Sequence, residues 1–197
     1  MTCWPKRSFG CAQEDILDAA YELQVFLKAV EGRAFRMADI ALRDSQDALD
    51  VVQDAMIQLA TKYVARPPLE WKPLFYRILK NRIRDCQRRR RTRSKVIAWW
   101  PMGSADDEGT FASVVDEAPS PDTGPAQRLE NEQAMAALSQ ALRELPHRQR
   151  EVFCLRLLEG MNVADTAAVM GCSDGSVKTH YFRALKALRE KLGEHWL

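Results

Sequence analysis

The sequence predicts an all-α fold made of two small helical domains joined by an acidic flexible linker, and three observations carry that prediction. Apolar residues recur at three- and four-residue intervals in both halves, and no alternating strand pattern competes with them. Between the halves, the stretch from Trp100 to Pro125 is rich in Pro, Gly, Ser, Asp and Glu, a composition that buries too little apolar surface to fold alone. Charge is sharply segregated: residues 1–60 carry net −4, residues 61–98 net +11, residues 99–125 net −6 and residues 126–197 net +1. One concentrated basic block in a chain of net charge only +2 points to a polyanionic partner at that block.

The bulk numbers agree. A chain of 197 residues accommodates one domain or two small ones, and 46% hydrophobic residues excludes wholesale disorder. No run approaches the roughly 18 apolar residues of a membrane helix. No apolar signal-peptide core follows Lys6 and Arg7, so a cytoplasmic protein without membrane insertion is expected. The five cysteines are odd in number, widely spaced and without a Cys-x-x-Cys pair, which argues against zinc ribbons and disulfide scaffolds.

The first module is placed at residues 11–96, with helices over Gln13–Val30, Arg33–Leu42, Gln46–Val64 and Trp71–Arg93. Ser45 is assigned as the cap of the third helix, Pro67 and Pro68 as its end, and Pro73 as an early residue of the fourth. The linker is placed at 97–125. The second module follows at 126–197, with helices over Ala126–Glu144, Arg148–Glu159, Val163–Met170 and Asp174–Leu192. Gly160 ends the second of these, while Asn162 and Ser173 cap the last two.

Three faces carry candidate function. On the third helix, Ala48, Val52, Ala55 and Leu59 fall on one side, while Asp47, Asp50 and Asp54 fall on the other, flanked by Gln53 and Gln58. Those carboxylates suit a basic protein partner better than a metal, because no second element supplies converging ligands. On the fourth helix, Phe75, Leu79, Ile83 and Cys86 form the inner stripe. Arg77, Lys80, Arg84, Arg88 and Arg91 form the outer one, with Asn81 at its edge. Guanidinium groups are forked donors suited to phosphate, and the nearby Trp71, Phe75 and Tyr76 are aromatics of the kind on which unpaired bases stack. Phe75 is expected in the core. From Val163 to His180 the chain reads as a helix-turn-helix: Ala167 is small at the helix crossing, Gly171 allows a left-handed turn, and Val177 anchors the second helix. That helix turns Val177, Tyr181, Ala184 and Leu188 inward and Lys178, Thr179, Phe182, Arg183 and Lys186 outward, the second set suited to base edges and phosphates in a major groove.

With these motifs in order, the chain resembles the small extracytoplasmic-function group of the bacterial sigma-70 family, which has only regions 2 and 4. The segment Asp47-Ala-Leu-Asp-Val-Val-Gln-Asp-Ala-Met is similar to the core-binding helix of region 2. Tyr76 to Arg89 resembles the segment that opens and reads the minus-ten element. Leu142-Arg-Glu-Leu-Pro-His-Arg-Gln-Arg-Glu-Val opens a region 4 pattern, which the helix-turn-helix and Phe182-Arg-Ala-Leu complete. The resemblance implies a transcription initiation factor that brings core RNA polymerase to promoters and promotes DNA opening. Its partners would be core polymerase and promoter DNA, double- and single-stranded, and it admits an anti-sigma factor. It implies core binding through Asp47, Asp50, Gln53, Asp54 and Gln58. Minus-ten contact would fall to Tyr76, Arg77, Lys80, Asn81, Arg84 and Arg88. Minus-thirty-five contact would fall to Lys178, Thr179, His180, Phe182, Arg183 and Lys186. No catalytic residue, metal or cofactor is implied. The chain departs from the usual family pattern at Leu74-Phe75, with Trp71 offset upstream, at Asp165-Thr-Ala in the first motif helix, and at His180 and Leu185 in the second.

Two rival classes stay distinct. A two-component-type transcription activator has a similar output helix-turn-helix, but it requires an α/β receiver where residues 13–93 show helical periodicity. A metal-dependent nuclease would use Asp47, Asp50 and Asp54 beside the basic helix, yet His147, His180 and His195 have no ligand spacing. Finally, the acidic segment directly follows the basic block. Two readings of it stay open: a solvated spacer, or a segment that through Asp106, Asp107, Glu108, Asp116 and Glu117 transiently covers the Arg88–Arg91 end of the basic helix in the free protein.

Overall fold

The structure is a computed structural model that describes residues 11–97 and 125–193. Every regular element among the described residues is helical. The order is α1 (Cys11–Leu42), α2 (Ser45–Lys62), α3 (Pro68–Ile97), α4 (Pro125–Glu144), α5 (His147–Phe153), a π-helical turn (Cys154–Leu158), α6 (Val163–Met170) and α7 (Asp174–Leu192). The linker assigned to 97–125 falls almost wholly outside the described residues.

Helices α1, α2 and α3 pack on one another as the first module. Ala48, Val52, Ala55 and Leu59 of α2 are all buried, as their spacing requires. Each such aliphatic residue removed from water contributes roughly 1.5–3 kcal/mol for the larger side chains. Across from them lie Trp71, Phe75, Leu79 and Ile83 of α3. Phe26 of α1 meets the Phe75 ring edge-on at 6.2 Å between centroids and the Trp71 ring at 6.0 Å. The Trp71 indole nitrogen donates to the Tyr63 carbonyl at 3.3 Å, which satisfies its one polar atom in the core.

The sequence reading differs from the structure at several boundaries. It splits α1 near Gly32, whereas the helix runs through: a mid-helix glycine costs about 1 kcal/mol, which the buried Val30, Ala34, Met37 and Ala38 outweigh. Asp44, not Ser45, caps α2, its carboxylate accepting from the Asp47 amide at 2.9 Å. The third predicted helix stops at Lys62, before the prolines, and Pro68 instead opens α3, where its missing N–H costs nothing. The predicted helix over Arg148–Glu159 divides into α5 and the π-helical turn, which places Gly160 at φ +61° immediately afterwards.

In the second module the helix-turn-helix forms with the predicted bounds of both helices. Asn162 caps α6 by accepting from the Asp165 amide at 2.8 Å, and Ser173 caps α7 by accepting from Ser176 at 3.2 Å. Gly171 adopts φ +65°, and the amides of Gly171 and Cys172 both reach the Ala167 carbonyl, closing the turn. Val177, Ala184 and Leu188 of α7 are buried.

The two modules are closed on each other. Helix α6 lies against α3, α4 touches α1, and the buried apolar residues of both modules form one continuous cluster.

Candidate nucleic-acid interface

Helix α3 is basic on several sides, and the structure sorts its cations by neighbour. Arg82 and Arg90 turn toward α2. Arg90 pairs with Asp44 at 2.6 Å and with Asp47, and donates to the Leu42 carbonyl at 2.9 Å. The Asp47 amide, with Arg90 adding to it, holds the Asp44 carboxyl below its usual range. Arg82 pairs with Asp54 at 3.4 Å and donates to the Gln58 side chain at 3.0 Å. Cys86 donates to Asp47 at 3.1 Å, and burial together with that carboxylate pushes its thiol up to about 11.

The predicted acidic face of α2 is therefore divided. Asp47, Asp54 and Gln58 bond to arginines of α3, the Asp54 side chain remaining 59% exposed, and Asp50 and Gln53 are exposed as well. The outer side of α2 also presents Leu49 and Ile57, 39% and 62% exposed, beside those two polar groups. The sequence reading passed over both, because the carboxylates dominate the helical wheel.

On the other side of α3, Arg77, Asn81, Arg84, Arg88 and Arg91 are exposed, as the outer stripe requires. Two members of the predicted minus-ten set are not. Lys80 is buried, and its ammonium donates to the Val169 carbonyl at the end of α6. Burial drives its pKa below the usual lysine value, against an upward pull from Glu151. Tyr76 is fully buried against Phe75, with its phenol toward Glu159 and Arg33, and burial and then the Glu159 carboxylate raise the phenol's pKa. The second module itself covers both side chains, so in this closed arrangement neither meets solvent.

The cover is held by groups that the sequence reading missed. Glu159, with a side chain 1% exposed, pairs across the junction with Arg33 at 3.3 Å. Lys72 donates to the Glu159 carbonyl, Arg143 pairs with Asp39 at 2.8 Å, and Arg43 donates to the Arg143 carbonyl at 3.0 Å. Lys72 and Lys80 thus meet the carbonyl-rich C-terminal ends of two short helical segments, where a cation is electrostatically favoured. Of the outer stripe these oxygens cover Lys80 alone, and its arginines stay exposed.

The recognition face of α7 stays open. Lys178, Thr179, Arg183 and Lys186 are exposed, Phe182 is 69% exposed, and His180 is half-buried. Thr179 bonds its hydroxyl to the Gly175 carbonyl at 2.9 Å, which orients it on the first turn. Beneath this face, Arg156 stacks over Tyr181 at 5.8 Å, joining the π-helical turn to α7.

A helix-turn-helix module with a cationic exposed face, closed on a helical module with an arginine-striped helix, is the architecture of a DNA-binding transcription protein. Residues 135–188 match the sigma-70 region 4 family. The RNA polymerase sigma factor SigV of Bacillus subtilis is 30% identical over 160 residues, 80% of this chain and 83% of that protein. RNA polymerase sigma-E factor of Streptomyces coelicolor is 29% identical over 171 residues, 87% and 86% of the two chains. Among solved structures, the sigma factor RpoE, crystallised with the anti-sigma factor NepR from Bartonella quintana, aligns with a TM-score of 0.57 at 27% identity, covering 89% of this chain and 96% of that one. CnrH, solved with the cytosolic domain of CnrY, shares the fold with a TM-score of 0.55 at 21% identity, covering 91% and 95%. The chain belongs to the extracytoplasmic-function group of the sigma-70 family of RNA polymerase sigma factors, and is a transcription initiation factor. The activator alternative fails on fold, since residues 13–93 form helices where a receiver needs a parallel sheet. No helix among the described residues is long and apolar enough to cross a membrane.

Proposed function

We propose that this chain works in the cytoplasm as a promoter-specificity subunit without chemistry of its own, and that its free form is closed. Core RNA polymerase docks on the outer side of α2, at Asp50 and Gln53 with Leu49 and Ile57, while Asp47, Asp54 and Gln58 hold that helix to α3. The exposed face of α7, through Lys178, Thr179, Phe182, Arg183 and Lys186 with His180 at its edge, reads the minus-thirty-five element. Arg77, Asn81, Arg84 and Arg88 track the minus-ten backbone. Tyr76 and Lys80 join them only once the second module has moved off α3.

The observation that carries this reading is the asymmetry of the two readers: α7 is open while the middle of α3 is capped by α6 and Glu159. The free chain would then find upstream DNA poorly placed for opening, and polymerase binding would supply the energy to part the modules. Asp50→Lys tests the docking face. Asp50 is exposed and makes no ion pair among the described residues, so the variant keeps the fold. It should lose co-purification with core polymerase while retaining wild-type circular dichroism. Undiminished co-purification would move the docking face elsewhere.

A further inference from the structure

Closing the modules creates a cleft that neither module has alone. Asn81, Arg84 and Arg88 of α3 line one side and His147 and Arg150 of α5 the other, around a volume of about 680 Å³. Asp85, the one carboxylate among the lining residues, pairs with Arg88 at 3.2 Å. That pair cancels within α3 and leaves the Arg84 and Arg150 charges without a carboxylate in the cleft. Arg84 is exposed and makes no hydrogen bond or ion pair among the described residues. Arg150 is half-buried, and among the described residues its guanidinium reaches the Arg143 carbonyl at 3.4 Å and makes no ion pair. Burial, with Arg43 adding to it, pulls the Arg150 pKa below the ordinary arginine value, against Cys154 and Glu151. A partly desolvated guanidinium with most of its five N–H donors unmatched by protein is a group that an anion completes.

The fields of both walls converge on His147. Its pKa is driven down first by burial, then by Arg150 and Arg148 of α5 and by Arg84 and Lys80 of α3, with Glu151 at 3.5 Å on its own helix opposing them. A recessed positive potential built by two modules at one place attracts an anion more than a flat surface does. The arrangement also selects the class of anion. The cleft volume of about 680 Å³ lies within the roughly 300–1,000 Å³ of small-molecule sites and exceeds what a single phosphate fills. Guanidinium groups are forked donors for phosphate oxygens, and a pair on opposite walls suits a chain of phosphates with charge at both ends. A nucleic-acid strand is the poorer occupant, because the cleft exists only while the second module covers α3 and keeps Tyr76 and Lys80 from solvent.

We propose that the cleft between α3 and α5 binds a linear triphosphate, inorganic or carried by a nucleoside, held between Arg84 and Arg150 beside His147, and that this ligand holds the modules closed. The inference rests on the reading of the free form as closed. A ligand gripped from both modules binds the closed form and not the open one, so it favours closure by RT ln(1 + [L]/Kd) and opposes the opening that exposes the middle of α3.

The test titrates the full chain with sodium tripolyphosphate by calorimetry, at low salt and without divalent metal. Binding should saturate at one site per chain. Arg150→Gln, and Arg84→Gln at an exposed position that keeps the fold, should each weaken it about tenfold or more. Lys28→Gln removes the same charge from an exposed position of α1 outside the cleft and should change it less than about twofold. AMP, with one phosphate, should bind about tenfold or more weaker than tripolyphosphate. ATP distinguishes the sources: tighter binding than tripolyphosphate assigns a nucleotide, equal or weaker binding the inorganic chain. Bound tripolyphosphate should also raise the midpoint of the His147 imidazole titration, read by NMR. Energy transfer between dyes at the exposed Gln24 and Glu190 reports closure. At about a hundred times its Kd, tripolyphosphate should raise the closed-to-open ratio of Arg33→Ala on the order of a hundredfold. No binding by a chain that transfers energy as closed would overturn the proposal, as would equal weakening by Arg150→Gln and Lys28→Gln. Binding of the oligonucleotide dT20 that Arg150→Gln weakens, where tripolyphosphate does not bind, would give the cleft to a nucleic-acid backbone and overturn it too. A free wild-type chain that transfers energy as open would instead overturn the closed reading, and the cleft with it.

Discussion

Removing Arg33 should pry the modules apart, because it strands a buried carboxylate. In the closed form the Glu159 side chain is 1% exposed and pairs with Arg33 Nε at 3.3 Å, with the Tyr76 phenol nearby. Breaking a fully buried pair from one side costs about 3–5 kcal/mol, while an exposed pair is worth about 0–1 kcal/mol. Arg33 is 40% exposed, so water screens one side of this pair and the expected cost of Arg33→Ala lies near 2 kcal/mol. That is roughly a thirtyfold shift of the closed–open equilibrium toward open. Single-molecule energy transfer between dyes at the exposed Gln24 and Glu190 would read it as a larger open fraction. Adding Glu159→Gln to the same chain removes the stranded charge and should recover part of the closed population. An open fraction equal to wild type in Arg33→Ala would refute the junction pair as a closing contact.

Further outcomes follow from the same geometry. Arg183→Ala should weaken promoter use by roughly 1–3 kcal/mol, with the loss concentrated at particular upstream bases, as a transcription assay over an upstream mutant library would show. Gly171→Ala should lower the stability of the second module by about 1–2 kcal/mol, read as a lower Tm, because φ +65° strains any residue with a Cβ even though the space there is open. The His147 pKa is lowered in the closed form by burial and by Arg150, Arg148, Arg84 and Lys80, with Glu151 at 3.5 Å on its own helix opposing them. Its neutral form therefore favours closure, a contribution complete above the usual histidine range and lost as pH falls through the depressed value. The open fraction should rise on acidification below about pH 6.5, and His147→Gln should remove that part of the pH dependence.

What could be read from the sequence follows the range of the interaction that decides it. The α6 and α7 boundaries, their caps at Asn162 and Ser173 and the Gly171 turn are set by neighbours within four residues, so spacing alone reveals them. The inner stripe Phe75, Leu79 and Ile83 is legible for the same reason, since helical periodicity reports burial within one module. The split of α1 at Gly32 misleads because a local cost of about 1 kcal/mol is overruled by packing elsewhere. The role of Arg82 and Arg90 is invisible in a run of arginines, because the partners that distinguish them, Asp44, Asp47 and Asp54, sit 28 to 46 residues earlier. Lys80 and Tyr76 show the limit most clearly. Both belong to the expected minus-ten set, yet the atoms covering them come from Val169 and Glu159, 89 and 83 residues away, and no periodicity within α3 announces a second module.

Transcription of sheared genomic DNA by purified core polymerase, with and without this chain, followed by mapping of the run-off starts, tests the central claim most directly. The account predicts new starts that appear only when the chain is added. Each should be preceded by two short shared elements separated by a fixed spacing, and use of the upstream element should be impaired by Arg183→Ala. Starts identical to those of core alone, or new starts sharing no paired upstream elements, would contradict it.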